Sequence, residues 1–453
     1  MTMLALALLV PWVSGVVLVV LDGRRRVVAA LAIVALAATL ASLIAVAATA
    51  PDGRVSFTTG GWPPGVGITF KADALGLLFA ILSVGTLTAA ATHEALDGVR
   101  EPEFPGIVVL LAAGLSGVFL TADLFNFYVF FELALAASYV LSVYGRTPRA
   151  IGAGLVFTAV NVVGTFVFLL SVASVYRVTG TLDMAAIGSR MASADPNASI
   201  LIAVGFFVAF GVKLGLFPFH FWLPTVYTGS RPAVAAILSG SVANIGAYGL
   251  LRFGGQLLPR ELELAAGALI VIGTASIVYG AVLAVSRRTA SEMLAYSAIG
   301  QVGYVLVAIG IGGPLGFGAA ILYAAVNALN KTLLFLTTRI RGPLVGAAFV
   351  IGALSVAGVP PAAGFVGKLR LFQAVHENPA LIALFVVGAV LSLVYVFQIY
   401  QYDHWRKAPV DPPSRWRERA VPVALAAVVL AAGLWPEPLL AFSQAAAAAL
   451  VGQ

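Results

Sequence analysis

Apolar residues run through this chain in blocks of roughly twenty, each closed by a few Gly, Pro or charged positions, and twenty is what a helix needs to cross a bilayer. Fourteen such spans are predicted, at approximately 4–21, 27–49, 73–92, 105–121, 123–144, 150–177, 199–225, 232–251, 263–285, 292–311, 316–338, 345–374, 379–401 and 420–448. Only helices and closed barrels satisfy their backbones in lipid, so the pattern predicts an all-α polytopic membrane protein. The connections are short. In 50–72, VSFTTGG and GVGITF flank Trp62-Pro63-Pro64-Gly65 and alternate like a hairpin lying over the helices. The loops 178–198 and 402–419 are too small for domains, so one membrane domain over 1–453 is expected, with no long amphipathic C-terminal extension. The first span has no basic stretch before it and Arg24, Arg25 and Arg26 after it, which predicts a retained helix rather than a cleaved signal peptide.

Two spans break the pattern at their centres. Within 206–249, Lys213 has no acid or base in the fifteen residues before it, and Phe217-Pro218, His220 and Pro224 follow. A charge at the bilayer centre costs about 2.5–3.5 kcal/mol on insertion scales. Broken helix at that depth survives only inside protein or beside a wet cavity. Together they point to an ion path; the plainer alternative is a lysine snorkelling to an interface. Span 12 repeats the arrangement, with Gly358, Pro360, Pro361 and Gly364 at its centre and Lys368 just beyond. Five helices separate the two sites, and an odd number inverts a repeat in the membrane. Spans 4–8 and 9–13, with cores of about 105–251 and 263–401, therefore read as inverted repeats with broken helices 7 and 12. The ordinary frequency of Gly and Pro in membrane helices is the bland alternative.

Composition narrows the chemistry. At 61% hydrophobic and 10% charged residues, no stretch is polar enough for a soluble domain. No cysteine is present, which excludes thiolate-held iron–sulfur clusters and disulfides. Of the four histidines (His93, His220, His376, His404), three fall in or near predicted loops, so neither a bis-histidine haem nor a histidine metal site is expected. The formal net charge of +7 has no basic stripe with interleaved aromatics, and nucleic acid is not an expected partner. Odd-numbered loops hold sixteen Lys or Arg and even-numbered loops six, which predicts both termini outside the cytoplasm. The four basic residues left inside spans are Lys213, Lys331, Lys368 and Arg370.

Other polar residues lie between the breaks. Glu132, in LFNFYVFFELALAASYVL, is the only carboxylate expected well inside a span, with Asp123 near the end of the preceding one. Lys331 falls mid-span in LYAAVNALNKTLLFL, with Asn327 one turn before it and Asn330 beside it. A lysine loses proton affinity when desolvated and regains it beside a carboxylate, so a Glu–Lys pair of variable spacing or hydration can load and unload a proton. Ser297, Gln301 and Tyr304 of YSAIGQVGY stand at helical spacing and serve either a path or interhelical hydrogen bonding.

With these residues assembled, the chain resembles the antiporter-like subunits shared by respiratory complex I, membrane-bound hydrogenases and Mrp-type multi-subunit cation/proton antiporters. The resemblance covers nearly all of spans 3–13. It is carried by Glu132 in span 5, the lysine of VKLGLFPFHFWLP, AYSAIGQVGY, NALNKTLLFL and GVPPAAGFVGK. DLFNFYVFFE looks most like the D-type subunits of the Mrp antiporters, since complex I members usually carry a tryptophan just before that glutamate. The resemblance implies a fourteen-helix fold with two inverted five-helix repeats and a polar axis along the midplane. Glu132 and Lys213 match the family's coupling pair, Lys331 a central relay lysine, and Lys368 the lysine of the second half-channel. It also implies that the subunit itself binds no nicotinamide, quinone or metal.

Three positions depart from the family. Asn244 stands where span 8 usually has a lysine or histidine, Asn327 where span 11 commonly has a histidine, and RRTASEMLAYS lacks the usual basic pair before AYS. Asparagine hydrogen-bonds without titrating near neutral pH. The relay from Lys213 to Lys331 is then expected to use water or Tyr and Ser hydroxyls. The expectation is a non-enzymatic, cation/proton-translocating subunit of a multi-subunit complex in the cell membrane. Its partners would be other integral membrane subunits and lipid, and its cargo protons with Na+ or another cation. A proton-pumping subunit of a redox complex and a non-pumping scaffold are the alternatives. A self-sufficient solute carrier fits less well, because the polar set is small and linear.

Overall fold

The structure, a computed structural model, describes residues 2–49, 55–62, 67–405 and 416–451. It opens with α1 (Thr2–Val20) and α2 (Arg26–Thr49). An antiparallel pair follows, β1 (Val55–Thr58) and β2 (Thr69–Ala72), in which Val55 faces Ala72 and Thr58 faces Thr69. This is the hairpin that the alternation predicts. Its turn at 63–66, and the stretch 406–415 of the predicted loop 402–419, lie outside the described residues.

Helices make up nearly all the rest. In order they are α3 (Ala74–Asp97), α4 (Phe104–Leu120), α5 (Leu124–Ser142), α6 (Pro148–Thr179), the short α7 (Met184–Met191) and α8 (Pro196–Leu214). Then come α9 (Trp222–Gly229), α10 (Pro232–Ile237), α11 (Asn244–Arg252), α12 (Pro259–Val285), α13 (Ala290–Ile311) and α14 (Gly313–Thr337). The last are α15 (Pro343–Ala357), α16 (Ala363–Ala374), α17 (Pro379–Tyr400), α18 (Trp416–Leu434) and α19 (Glu437–Leu450). Local chemistry sets many of the starts. Asp73, Asp123, Thr147, Asp195, Thr289 and Asn378 each cap a first turn by accepting the backbone N–H three residues on.

Among the described residues, 11 helices are long and apolar enough to cross a membrane, or up to 12 if the bent pair α18–α19 is one span. The chain is a multi-pass membrane protein. The predicted spans 4 and 12 coincide with shorter apolar helices, α4 of 17 residues and α15 of 15. The segments Pro232–Leu257, Ala290–Ile311 and Gly313–Thr337 are almost wholly enclosed, whereas α1, α6, α12 and α17 turn a broad face outward. An aromatic knot of Phe127, Phe168, Phe210, Tyr248 and Phe253 fills the interior of one half, and α12 packs along α13.

Four features differ from expectation. The predicted single helix at 420–448 is α18 and α19, bent by 73°. Pro436 cannot donate to the α18 ladder, and Pro438 stands in the first turn of α19. Predicted span 8 is not uniform, because Leu238–Val242 and Phe253–Leu257 form π-turns on either side of α11. Arg252, expected in a loop, is only 6% exposed and donates to Asp73 (2.6 Å), Tyr248 (3.0 Å) and Gln256 (2.8 Å). Finally, α3 runs on past the predicted end at 92 to Asp97, so His93 and Glu94 lie in its last turns, and both are buried. Glu132 is half-buried where Glu94 is enclosed.

Candidate ion path

The first break places Lys213. Helix α8 stops at Leu214 because Gly215 takes φ 65°, in the left-handed region that side chains avoid. The backbone groups freed by the break are satisfied within the protein: the Trp222 indole donates to the Val212 carbonyl (3.0 Å), and the Phe217 N–H donates to the Ser276 hydroxyl on α12 (3.1 Å). Lys213 is 2% exposed. Its Nζ lies 3.4 Å from Asn161 Oδ1 on α6 and 5.1 Å from the centre of the Phe157 ring, one turn earlier on the same helix. No ion pair within 4.0 Å joins Lys213 to Glu132, so the expected Glu–Lys couple is unjoined in this structure. His220 sits in the break with its ring 4.3 Å from Tyr279 and 5.5 Å from Phe217.

The second break is built alike and filled differently. Helix α15 ends at Ala357 because Gly358 takes φ 81°. Gly364 N–H then donates to the Ser355 hydroxyl (2.8 Å) as α16 begins. Lys368, 4% exposed, donates from Nζ to the Ala357 carbonyl at 3.1 Å. That is the C-terminal end of α15, where unsatisfied carbonyls attract a cation. The same Nζ lies 5.3 Å from the centre of the Tyr304 ring.

A row of hydrogen bonds leads towards it from Lys331, which is fully enclosed on α14. Lys331 Nζ donates to Ser297 Oγ (2.7 Å) and to the Leu294 carbonyl (3.4 Å). Ser297 shares a hydrogen bond with the Tyr395 hydroxyl (2.9 Å), which also receives the Gln301 amide (3.1 Å). The Tyr323 hydroxyl donates to Gln301 Oε1, and its ring lies 5.6 Å from that of Tyr304. The structure thus brings together Ser297, Gln301, Tyr304, Lys331 and Lys368. Sequence reasoning missed Tyr323 and Tyr395, although each is a tyrosine near the middle of an apolar span.

Asn244 opens α11, 5% exposed beside the π-turn Leu238–Val242. It donates to the Gly240 carbonyl (2.9 Å) and to Ser83 Oγ on α3 (3.3 Å). No hydrogen bond joins it to Lys213 or Lys331. Asn327 likewise makes no bond to Lys331; the Oδ1 atoms of Asn327 and Asn330 are enclosed without a partner among the described residues. A buried amide oxygen of that kind is satisfied by an internal water. No group of three His, Cys, Asp or Glu among the described residues is placed to hold a metal ion.

Buried lysines beside two interrupted membrane spans point to an ion-translocating membrane protein. Residues 121–341 and 338–392 match the family described as NADH:quinone oxidoreductase/Mrp antiporter, TM, and the chain belongs to that family. It is 31% identical over 427 residues to the D subunit of the Na(+)/H(+) antiporter of Alkalihalophilus pseudofirmus, covering 88% of this chain and 86% of that one. Its fold matches a chain of the Mrp complex from Dietzia sp. DQ12-45-1b with a TM-score of 0.90 at 27% identity, over 100% of this chain and 98% of that chain. A chain of respiratory complex I from Thermus thermophilus matches with a TM-score of 0.86 at 25% identity, over 99% of this chain and 100% of that one.

Proposed function

We propose that this chain is the D-type membrane subunit of a multi-subunit Mrp-type Na+/H+ antiporter. Protons move along the midplane through Glu132, Lys213, Asn244 with intervening water, Lys331 and Lys368, coupled to transport of Na+ or another monovalent cation. The observation that carries this reading is the hydrogen-bonded row from Lys331 through Ser297, Tyr395 and Gln301 to Tyr323, with Tyr304 between that row and Lys368. The likeness to a D-type antiporter subunit and to an Mrp complex chain supports the choice of complex. His220 and Asn327 line the path rather than titrate in series with the lysines.

The fold is read as one membrane domain over 1–453 with fourteen spans, and spans 4–8 and 9–13 as inverted five-helix repeats. Support comes from the two breaks, each opened by a left-handed glycine and each holding a buried lysine. Sixteen basic residues in odd-numbered loops against six in even-numbered ones support a cell-membrane protein with both termini outside the cytoplasm. Its partners are the other integral membrane subunits of the complex. The complex I likeness carries a second reading, a proton-pumping subunit of a redox complex. Mild-detergent purification separates the two: antiporter subunits come down with the chain on the first, flavin and iron–sulfur proteins on the second.

Glu132→Gln and Lys213→Ala test the path. Each is expected to abolish cation-dependent proton flux in everted vesicles while the complex still assembles. Wild-type flux in Lys213→Ala would remove span 7 from the path.

A further inference from the structure

One end of the helix bundle holds a polar cluster that this path does not use. Glu94, near the end of α3, is 1% exposed. Its Oε1 accepts a hydrogen bond from the Tyr144 hydroxyl just past α5 (2.8 Å) and lies 3.3 Å from Arg231 Nε at the turn between α9 and α10. The other arm of Arg231 pairs with Asp97 (3.0 Å), and the Arg100 N–H donates to Tyr144 (2.9 Å). Glu94, Asp97 and Arg231, with Arg339 after α14 and Glu418 at the start of α18, line a cavity of about 80 Å³. His93 lines it, and its buried Nδ1 has no partner among the described residues. A water needs roughly 10–15 Å³ of such space and two or more polar partners, so this cavity suits several. The helix ends that meet here are those of the arginine-rich, odd-numbered loops. Burial, then Arg231, Arg100 and Arg149, push the Arg339 guanidinium below its ordinary value, so positive charge crowds the cavity.

The same helix carries polar groups deeper in the bundle. Thr86 Oγ1 shares a hydrogen bond with Ser241 Oγ (2.5 Å), Ser241 donates to the Ser83 carbonyl (3.1 Å), and Ser83 Oγ accepts from Asn244 (3.3 Å). Glu94 stands eight residues beyond Thr86, about 12 Å along the helix. Ala90 on α3 and Ala233 and Ile237 on α10 are fully buried over this stretch.

We propose that Glu94 is a proton-loading site that feeds Asn244 along α3, which rests on the midplane path proposed above. The carboxylate takes a proton from hydronium in the cavity, leaving water and a neutral acid, and gives it back to a water that enters the apolar stretch towards Thr86, re-forming hydronium there and the carboxylate behind it. Arg231 is then held by Asp97 alone, so each loading event changes the charge at the turn joining broken span 7 to span 8. The ligand is a proton rather than a metal cation. Tyr144 donates to Oε1 and Arg231 pairs with it at 3.3 Å, and Arg231 and Arg339 on the cavity wall repel a second cation.

The test compares Glu94→Gln with Glu94→Asp in the whole complex, in everted vesicles, with flux normalised to assembled complex and pH varied on the arginine-rich side. Glutamine keeps the shape and the acceptor for Tyr144 but cannot titrate; aspartate titrates but is a methylene short. Proton loading predicts a fall of about ten-fold or more for glutamine, a higher flux for aspartate with a shifted pH profile, and an unchanged half-saturating Na+ concentration. A purely structural latch predicts the reverse order in assembly and equal normalised flux, and that result overturns the proposal. A raised half-saturating Na+ concentration in Glu94→Gln also overturns it, in favour of a cation site. Should Glu94→Gln fail to assemble, Thr86→Val is expected to lower normalised flux several-fold, and unchanged flux there ends the α3 route. Lys331→Ala, assayed in parallel, separates the levels. If it loses flux while Glu94→Gln does not, only the loading site fails; if it keeps flux, the midplane path itself is wrong.

Discussion

At the break after Leu214 the freed carbonyl of Val212 is taken by the Trp222 indole, and Lys213 is left to an amide oxygen and an aromatic ring. At the break after Ala357 the freed carbonyl is taken by Lys368 itself. The same backbone event, a left-handed glycine ending a helix in mid-span, thus leaves one lysine loosely held and the other docked on a helix end. The halves differ in the same sense further in. Lys331 reaches Tyr323 through direct hydrogen bonds, whereas Glu132, Lys213 and Asn244 are not bonded to one another. Hydroxyls already in contact need only reorient to exchange a proton, and the Gln301 amide holds Tyr395 and Tyr323 in place rather than carrying the proton itself. Separated groups pass one only when water enters or side chains move. On the proposed function, the first half is where transport is switched and the second is a standing relay.

The strongest blow to this contrast is Lys331→Ala. It removes the one lysine bonded into the row and is expected to cut normalised cation-dependent proton flux by about a hundred-fold or more, the lower end of what a positioned proton-transfer group contributes. Flux near wild type would show that the row is not conducting. Tyr395→Phe removes one hydroxyl from the middle of the row and keeps the ring; a fall of about ten-fold is expected. Interhelical bonds that only glue helices average about 0.6 kcal/mol, so a purely adhesive Tyr395 would lower assembly slightly and leave flux per complex alone. The smallest and most discriminating effect is at Asn244. Leucine there holds no water by hydrogen bonds and is expected to reduce normalised flux several-fold. Asn244→Lys, which places a titratable group in the gap, is expected to be tolerated or to raise flux. Equal normalised flux in the Leu and Asn forms would show that the relay bypasses this position, and would erase the contrast between the halves.

Much of this was legible beforehand, for reasons particular to each residue. Lys213, Lys331 and Lys368 stood out because a charge in an apolar span is too costly to persist without use. The breaks stood out because Pro and Gly punctuate a helix whatever surrounds it. The 73° bend at Trp435-Pro436 carried the same proline signal at the centre of the predicted span 420–448, but with no lysine beside it to mark the break. Glu94 was missed because a glutamate near a span boundary looks the same in sequence whether it faces water or Tyr144 and Arg231. Arg252 was missed for the same reason; its partner Asp73 lies 179 residues away.

By itself the sequence determined the class of protein, the placement of the helices and the identity of the buried lysines. In lipid each residue's cost depends on its own side chain, and a local property can be summed along the chain. Only the tertiary structure decided which lysine is wired and which is not. Ser297 meets Tyr395 across 98 residues, Asn244 meets Ser83 across 161, and Lys213 meets Asn161 across 52. Hydroxyls and amides are cheap enough in a membrane helix to occur without purpose. Their role depends on a partner atom within hydrogen-bonding distance, and that distance is set by how helices far apart in the chain pack together.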